Sequence, residues 1–179
     1  NYVGQAFFDS SDNTRGAIVY SNSTTNDNAI GKYFIAGDST LNFGAAVNSP
    51  TAGSDDWSDD FVHGEFAVDP TGTGIAYYSG RDISGQLNTY KVDVTNPTLT
   101  WSTVTNGDNI SSGDLYSETN YSQKPFASTF YKGGKGLLLY NSATAPSSPY
   151  YSVITSSGNT MSATGTVPGA DANLWSRVR

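Results

Sequence analysis

Gly16-Ala17-Ile18-Val19-Tyr20-Ser21 returns as Gly74-Ile75-Ala76-Tyr77-Tyr78-Ser79 and again as Gly136-Leu137-Leu138-Leu139-Tyr140-Asn141. The three starts lie 58 and then 62 residues apart, from 16 to 74 and from 74 to 136. A second column keeps that spacing: Thr40-Leu41-Asn42-Phe43, Thr98-Leu99-Thr100-Trp101 and Thr160-Met161-Ser162-Ala163. Between the two columns fall Tyr33-Phe34-Ile35, Lys91-Val92-Asp93 and Tyr151-Ser152-Val153. An aromatic-Ser pair closes each unit, at Trp57-Ser58, Tyr116-Ser117 and Trp175-Ser176. A chance likeness of one string would not carry the others with it, so the chain reads as three tandem units, 1–60, 61–120 and 121–179.

Each unit reads as four short strands. Strand a covers Gly4 to Phe8, Gly64 to Val68 and Phe126 to Phe130. A turn rich in Gly and Asp follows, at Asp9 to Gly16, Asp69 to Gly74 and Lys132 to Gly136; such residues supply positive φ and side-chain-closed turns. Strand b is the Gly-led apolar run. Its unbroken apolar character predicts burial on both faces, so Ile18, Val19, Ala76, Tyr77, Leu138 and Leu139 are expected in the core. Strand c lies near Lys32–Ile35, Tyr90–Val94 and Tyr150–Ile154, and a tight turn leads to strand d in the Thr-led column. No stretch of the chain repeats its apolar residues at a helical period. Four antiparallel strands in a unit of about sixty residues is the blade pattern of a β-propeller. The expected fold is all-β, three tandem four-stranded antiparallel blades, with a sandwich or stacked fibre sheets as runners-up.

Three blades do not close a ring, since propellers run from about four to eight. The chain also starts at Asn1 without Met and stops where a further strand a would begin. The expectation is a processed protein or a piece of a longer array. Its uncovered end faces would meet other copies of the chain or further blades.

Composition narrows the partners. Net charge is −7, and the nine Lys and Arg residues form no basic patch, which argues against nucleic acid and anionic membrane surfaces. The longest apolar runs, such as Leu137 to Tyr140, are too short to span a bilayer, so no membrane insertion is expected. With no Cys there is neither disulfide nor thiolate chemistry.

Phe8-Asp9-Ser10-Ser11-Asp12-Asn13, then Ala17-Ile18-Val19-Tyr20, then Ser39-Thr40-Leu41-Asn42-Phe43-Gly44-Ala45-Ala46-Val47 resembles the tandem-blade repeat proteins of some environmental bacteria and of marine bacteriophages, in the latter as virion surface proteins. The likeness is strongest in the first unit. It implies an extracellular or virion-surface place, as a fibre, knob or decoration, and supplies no catalytic residues. A looser likeness, to lectin and sialidase-type propellers, rests on Thr40-Leu41-Asn42-Phe43, which sits like the end of an S-x-D-x-G-x-T-W box whose first part is missing here.

Strand alternation puts the b–c and d–a loops on one rim. Those loops are dense in Asn, Asp, Ser and aromatics, the side chains that stack on sugar rings and bind hydroxyls. Trp57, Tyr116 and Trp175 are the stacking candidates, with Arg81 and Asp82 as polar partners. The competing reading makes the same aromatics seam core between blades. Asp55, Asp56, Asp59 and Asp60 bracket Trp57 as candidate Ca²⁺ ligands, against a plain solvated acidic loop. His63 and Glu65 share one side of strand a and break the repeat, as an acid/base couple would and as drift between repeats also would. No nucleophile elbow, phosphate loop or zinc-ligand cluster is present, and no cofactor is expected. The preferred reading is therefore a non-enzymatic adhesion or recognition module with a cell-surface glycan as ligand. A purely structural fibre or decoration part is the alternative, and a fragment of a glycan-cleaving enzyme ranks third.

Overall fold

The computed structural model describes residues 2–9, 12–21, 29–50, 65–69, 71–81, 87–95, 98–107, 126–131, 135–140, 150–155, 160–162 and 165–168. The described residues are all-β, without helix, and form three antiparallel sheets. The first sheet joins β1 (Tyr2–Asp9), β2 (Asp12–Ser21), β3 (Ala29–Ala36) and β4 (Leu41–Asn48) in chain order. The second joins β5 (Glu65–Val68), β6 (Ile75–Arg81), β7 (Leu87–Asp93) and β8 (Thr100–Thr103) in the same way. The third runs β9 (Phe126–Tyr131), β10 (Lys135–Tyr140) and β11 (Tyr150–Thr155), and its fourth position is split into β12 (Thr160–Met161) and β13 (Gly165–Thr166), both paired with β11. This is a tandem array of four-stranded, propeller-like blades.

The sheets pack face to face, and the period-two alternation of strands decides which residues meet. On the second sheet Phe66, Ala76, Tyr78, Tyr90, Val92, Val94 and Leu99 join Phe7, Ala17, Val19 and Tyr33 of the first sheet in one core. From its other face, Ala67 and Tyr77 join Leu138, Tyr140, Ile154 and Met161 of the third sheet in a second core. Aromatic rings carry much of the first seam. Phe66 lies 4.8 Å from Phe7 across the seam and 4.8 Å from Tyr78 on its own sheet, both at steep angles. Trp101 Nε1 donates to the carbonyl of Val47 at 3.1 Å. Gly31 makes the close approach possible, since a Cβ there would stand 2.9 Å from both Leu99 methyls.

The blades splay. β1 lies against β5 and β5 against β9, while β4 and β8 approach each other much less, so the first strands gather toward a common axis. Among the described residues those first strands are sheet edges, whose outward ladder groups call for partners from outside their own sheet. Gln5 answers one of them: its Oε1 accepts the Phe66 N–H at 3.1 Å. On the outer side of the second sheet the chain bulges after Thr103. Val104 drops into the second core, the Met161 N–H donates to the carbonyl of Thr105 at 2.9 Å, and Gly107 resumes the ladder by accepting from Thr89 N–H at 2.8 Å. Asn106 takes the left-handed conformation this bulge demands (φ 59°), which Asn tolerates better than most residues.

Several expectations change in detail. Asp12 to Gly16 is strand, not turn: Asp9 pairs directly with Asp12, so the first hairpin is tighter than the Gly/Asp-rich composition suggested. The Gly-led strings also align differently in space. Phe8 pairs with Gly16 as Val68 pairs with Ala76, so Gly16 corresponds to Ala76 rather than Gly74, and the difference is taken up between strands b and c. Val19, Ala76, Tyr77 and Leu138 are buried as expected, but Ile18 and Leu139 are only half-buried. Only the middle sheet is covered on both faces by described residues. Ile18 and Leu139 point away from it, on the far faces of the first and third sheets.

Candidate functional site

In each sheet neighbouring strands run in opposite directions and in chain order. The end of β2 and start of β3, the end of β6 and start of β7, and the end of β10 and start of β11 therefore lie on one rim. The end of β4 and the starts of β1 and β5 lie there too. This is the rim assigned from strand alternation. The candidate side chains themselves, Trp57, Tyr116, Trp175, Asp82 and the acidic group Asp55, Asp56, Asp59 and Asp60, lie outside the described residues, as does His63. Of the remaining candidates, Arg81 ends β6 and Glu65 opens β5. The structure thus gathers on one rim the strand ends that carry the candidate loops.

The opposite rim is described in detail, and it holds polar residues that the sequence reading had passed over as turn formers. Asp9, almost fully buried, takes two bonds from Arg15, from Nη2 at 2.6 Å and from Nε at 2.7 Å. Arg15 also reaches across to the second sheet, where Nη1 donates to the carbonyl of Thr95 at 3.5 Å. The bond to Asp9 raises the guanidinium pKa above its ordinary value and outweighs the opposing effect of desolvation.

The triplet Asp-x-Thr stands at 12–14, 38–40, 69–71 and 93–95, and three of the four close their turns in one way. At 12–14, 69–71 and 93–95 one carboxylate oxygen accepts both the amide and the hydroxyl of the Thr two residues on. The distances are 3.0 and 2.6 Å for Thr14, 2.9 and 2.7 Å for Thr71, and 2.8 and 2.6 Å for Thr95. Asp69 accepts a further hydroxyl, from Thr73 at 3.0 Å, and fixes a turn in which Gly72 and Gly74 both have positive φ (77° and 71°). These carboxylates are satisfied by the turn they close. Their recurrence in the sequence was the signal available, and it points to scaffolding rather than ligand chemistry. Among the described residues no group of three or more His, Asp or Glu stands close enough to hold a metal ion.

Asp69 gives this scaffold a pH signature. Burial pushes its pKa up, but the bonds from the Thr71 hydroxyl, the Thr71 amide and Thr73 outweigh burial and hold it below the ordinary aspartate value. A carboxyl depressed in the folded state stabilises above the unfolded value and loses that contribution as pH falls through the folded one. Asp69→Asn is therefore expected to lower stability at neutral pH, and the gap to wild type should close as the pH drops below about 4. Urea unfolding at several pH values reads this directly. A gap that stays constant down to the acid transition would show that Asp69 is not held as a carboxylate.

Fold and rim together define a class: a tandem-blade β scaffold with two sets of connections gathered on one side. No model of a known protein family matches the chain, and no curated protein matches it.

Proposed function

We propose that this chain is a non-enzymatic surface module that recognises a carbohydrate through the rim formed by the b–c and d–a connections. The observation that carries the reading is the chain-order antiparallel topology of each sheet, repeated blade by blade, which gathers both kinds of connection on one side. A scaffold with buried aromatic seams fixes the strand ends from which such loops start, and binding residues concentrate on loops borne by a rigid scaffold. In sequence, the connections hold Trp57, Tyr116 and Trp175 together with Asp82 and many Asn and Ser residues, and Arg81 stands at the edge of one of them. An aromatic face offers a platform for the C–H face of a sugar, while carboxylate, amide and guanidinium groups bind its hydroxyls. An extracellular or virion-surface place suits this reading, and its ligand would be a cell-surface glycan.

Trp57→Ala decides the matter on a glycan array. The expected result is loss of the wild-type signal with an unchanged far-UV spectrum. If Trp57→Ala unfolds the chain, the tryptophan is seam core. If wild type binds nothing on a broad array, the ligand-free structural role takes its place.

A further inference from the structure

The outward face of the first sheet repeats the pattern of a face that elsewhere in the molecule is an interface. The ladders fix the correspondence. Phe8, Gly16, Phe34 and Phe43 form one row across β1 to β4, and Val68, Ala76, Val92 and Trp101 form the same row across β5 to β8. Leu41 stands two residues before Phe43, as Leu99 stands two before Trp101. On the second sheet this face is closed against the first: Leu99 is 1% exposed and packs with Trp101 over Gly31. On the first sheet the same positions stand in solvent, with Phe8 50%, Leu41 49% and Phe43 48% exposed. They form one patch rather than scattered residues. Phe34 lies beneath, 2% exposed, edge-on to Phe8 at 5.1 Å and to Phe43 at 6.3 Å. Its ring end occupies the space left by Gly16, 2.8 Å from where a Cβ would be.

In both internal seams a face of this kind meets the opposite face of the preceding blade. That opposite face carries Phe7, Ala17, Val19 and Tyr33 on the first sheet and Ala67 and Tyr77 on the second. The third sheet presents the same kind of face again, away from the second. Leu137 pairs with Val153 and Leu139 with Tyr151, all four half-buried, and the ladder sets Leu139 and Tyr151 where Ala17 and Tyr33 stand on the first sheet. The Tyr151 ring lies across Gly165, which keeps this face low. The chain thus carries one face of each kind, at its two ends.

We propose that two copies of the chain join head to tail, the outward face of each first sheet docking on the outer face of the other copy's third sheet. The two three-blade arcs then close one ring of six blades. The junction continues the two seams already inside each chain, and six blades fall within the four to eight that propellers use. A ring of this kind has a twofold axis and two identical heterologous junctions, so no apolar end face stays open. The proposal is independent of any ligand and goes beyond the recognition reading.

Phe43→Glu and Leu139→Glu, one substitution on each face, test it by light scattering after gel filtration at micromolar concentration. Wild type is expected at twice the chain mass and each variant at the single mass with an unchanged far-UV spectrum. An equimolar mixture of the two variants should return to a two-chain species, because the intact third-sheet face of one then meets the intact first-sheet face of the other. If Leu139→Glu fails to fold, Val153→Glu on the same face replaces it. A monomeric wild type overturns the proposal. So does a Leu139→Glu variant that stays dimeric, which would mean that first sheets pair with each other. A mixture of folded variants that stays monomeric, or a wild-type ladder of growing species, also overturns it.

Discussion

Leu138→Ala is expected to lower the unfolding free energy by about 2–5 kcal/mol, read from urea titration with an unchanged slope. Leu138 is fully buried between the third and second sheets, among Ala67, Tyr77, Tyr140, Ile154 and Met161. Its ladder partners are Ser152 and Ser128. Removing its isobutyl group opens a cavity in a seam clamped by ladders on both sides, which leaves little room for collapse. Leu138→Met keeps the volume and should cost less than about 1.5 kcal/mol. If the two variants cost the same small amount, strand b of the third unit is not sandwiched between blades.

Gly31→Ala should cost about 1–3 kcal/mol, because the added methyl has to push against the neighbouring blade. A Cβ there meets both Leu99 methyls at 2.9 Å and the Trp101 ring at 3.0 Å. Leu99→Ala alone should cost about 2–5 kcal/mol through the cavity it leaves. The pair is more informative than either variant. In the double variant the Gly31 methyl enters the space Leu99 vacates, so the combined loss should fall short of the sum of the two single losses by about 0.5–3 kcal/mol. Strict additivity would mean that Gly31 and Leu99 do not touch, and that the first two sheets are not packed as described.

Much of this was legible in the sequence because repetition and alternation are periodic signals. The Gly-led strings at 16, 74 and 136 located the second strand of every sheet, and the Thr-led column located the fourth. What escaped depends on neighbours that a local reading does not see. The strand around Ile18 and that around Leu139 are as apolar as the one around Tyr77, so all three look doubly buried. The difference arises from place in the array, since only the middle sheet has a described neighbour on each side. Gly31, just before the expected strand c, stands out by no local signal, yet it is the recess for Leu99 and Trp101 on another blade. Asp9 looked like part of a polar turn. In the fold it is a buried carboxylate held by Arg15, which in turn reaches Thr95, 80 residues away in the chain. The candidate rim was legible as topology, because strand direction alone sets it. Trp57, Tyr116, Trp175 and Asp82 sit in long polar connections where no period constrains the backbone, so the sequence offers their chemistry without their arrangement.

Packing of the first blade on the second and the second on the third is the claim on which everything else depends. Through-space proton contacts measured by NMR on methyl-labelled protein test it most directly. Contacts are expected between the Leu99 methyls and the Gly31 α protons, between the Phe7 and Phe66 rings, and between the Leu138 methyls and the residues of the second core. Contacts that instead join strands of the first unit to strands of the third, with none between Leu99 and Gly31, would contradict the tandem-blade account.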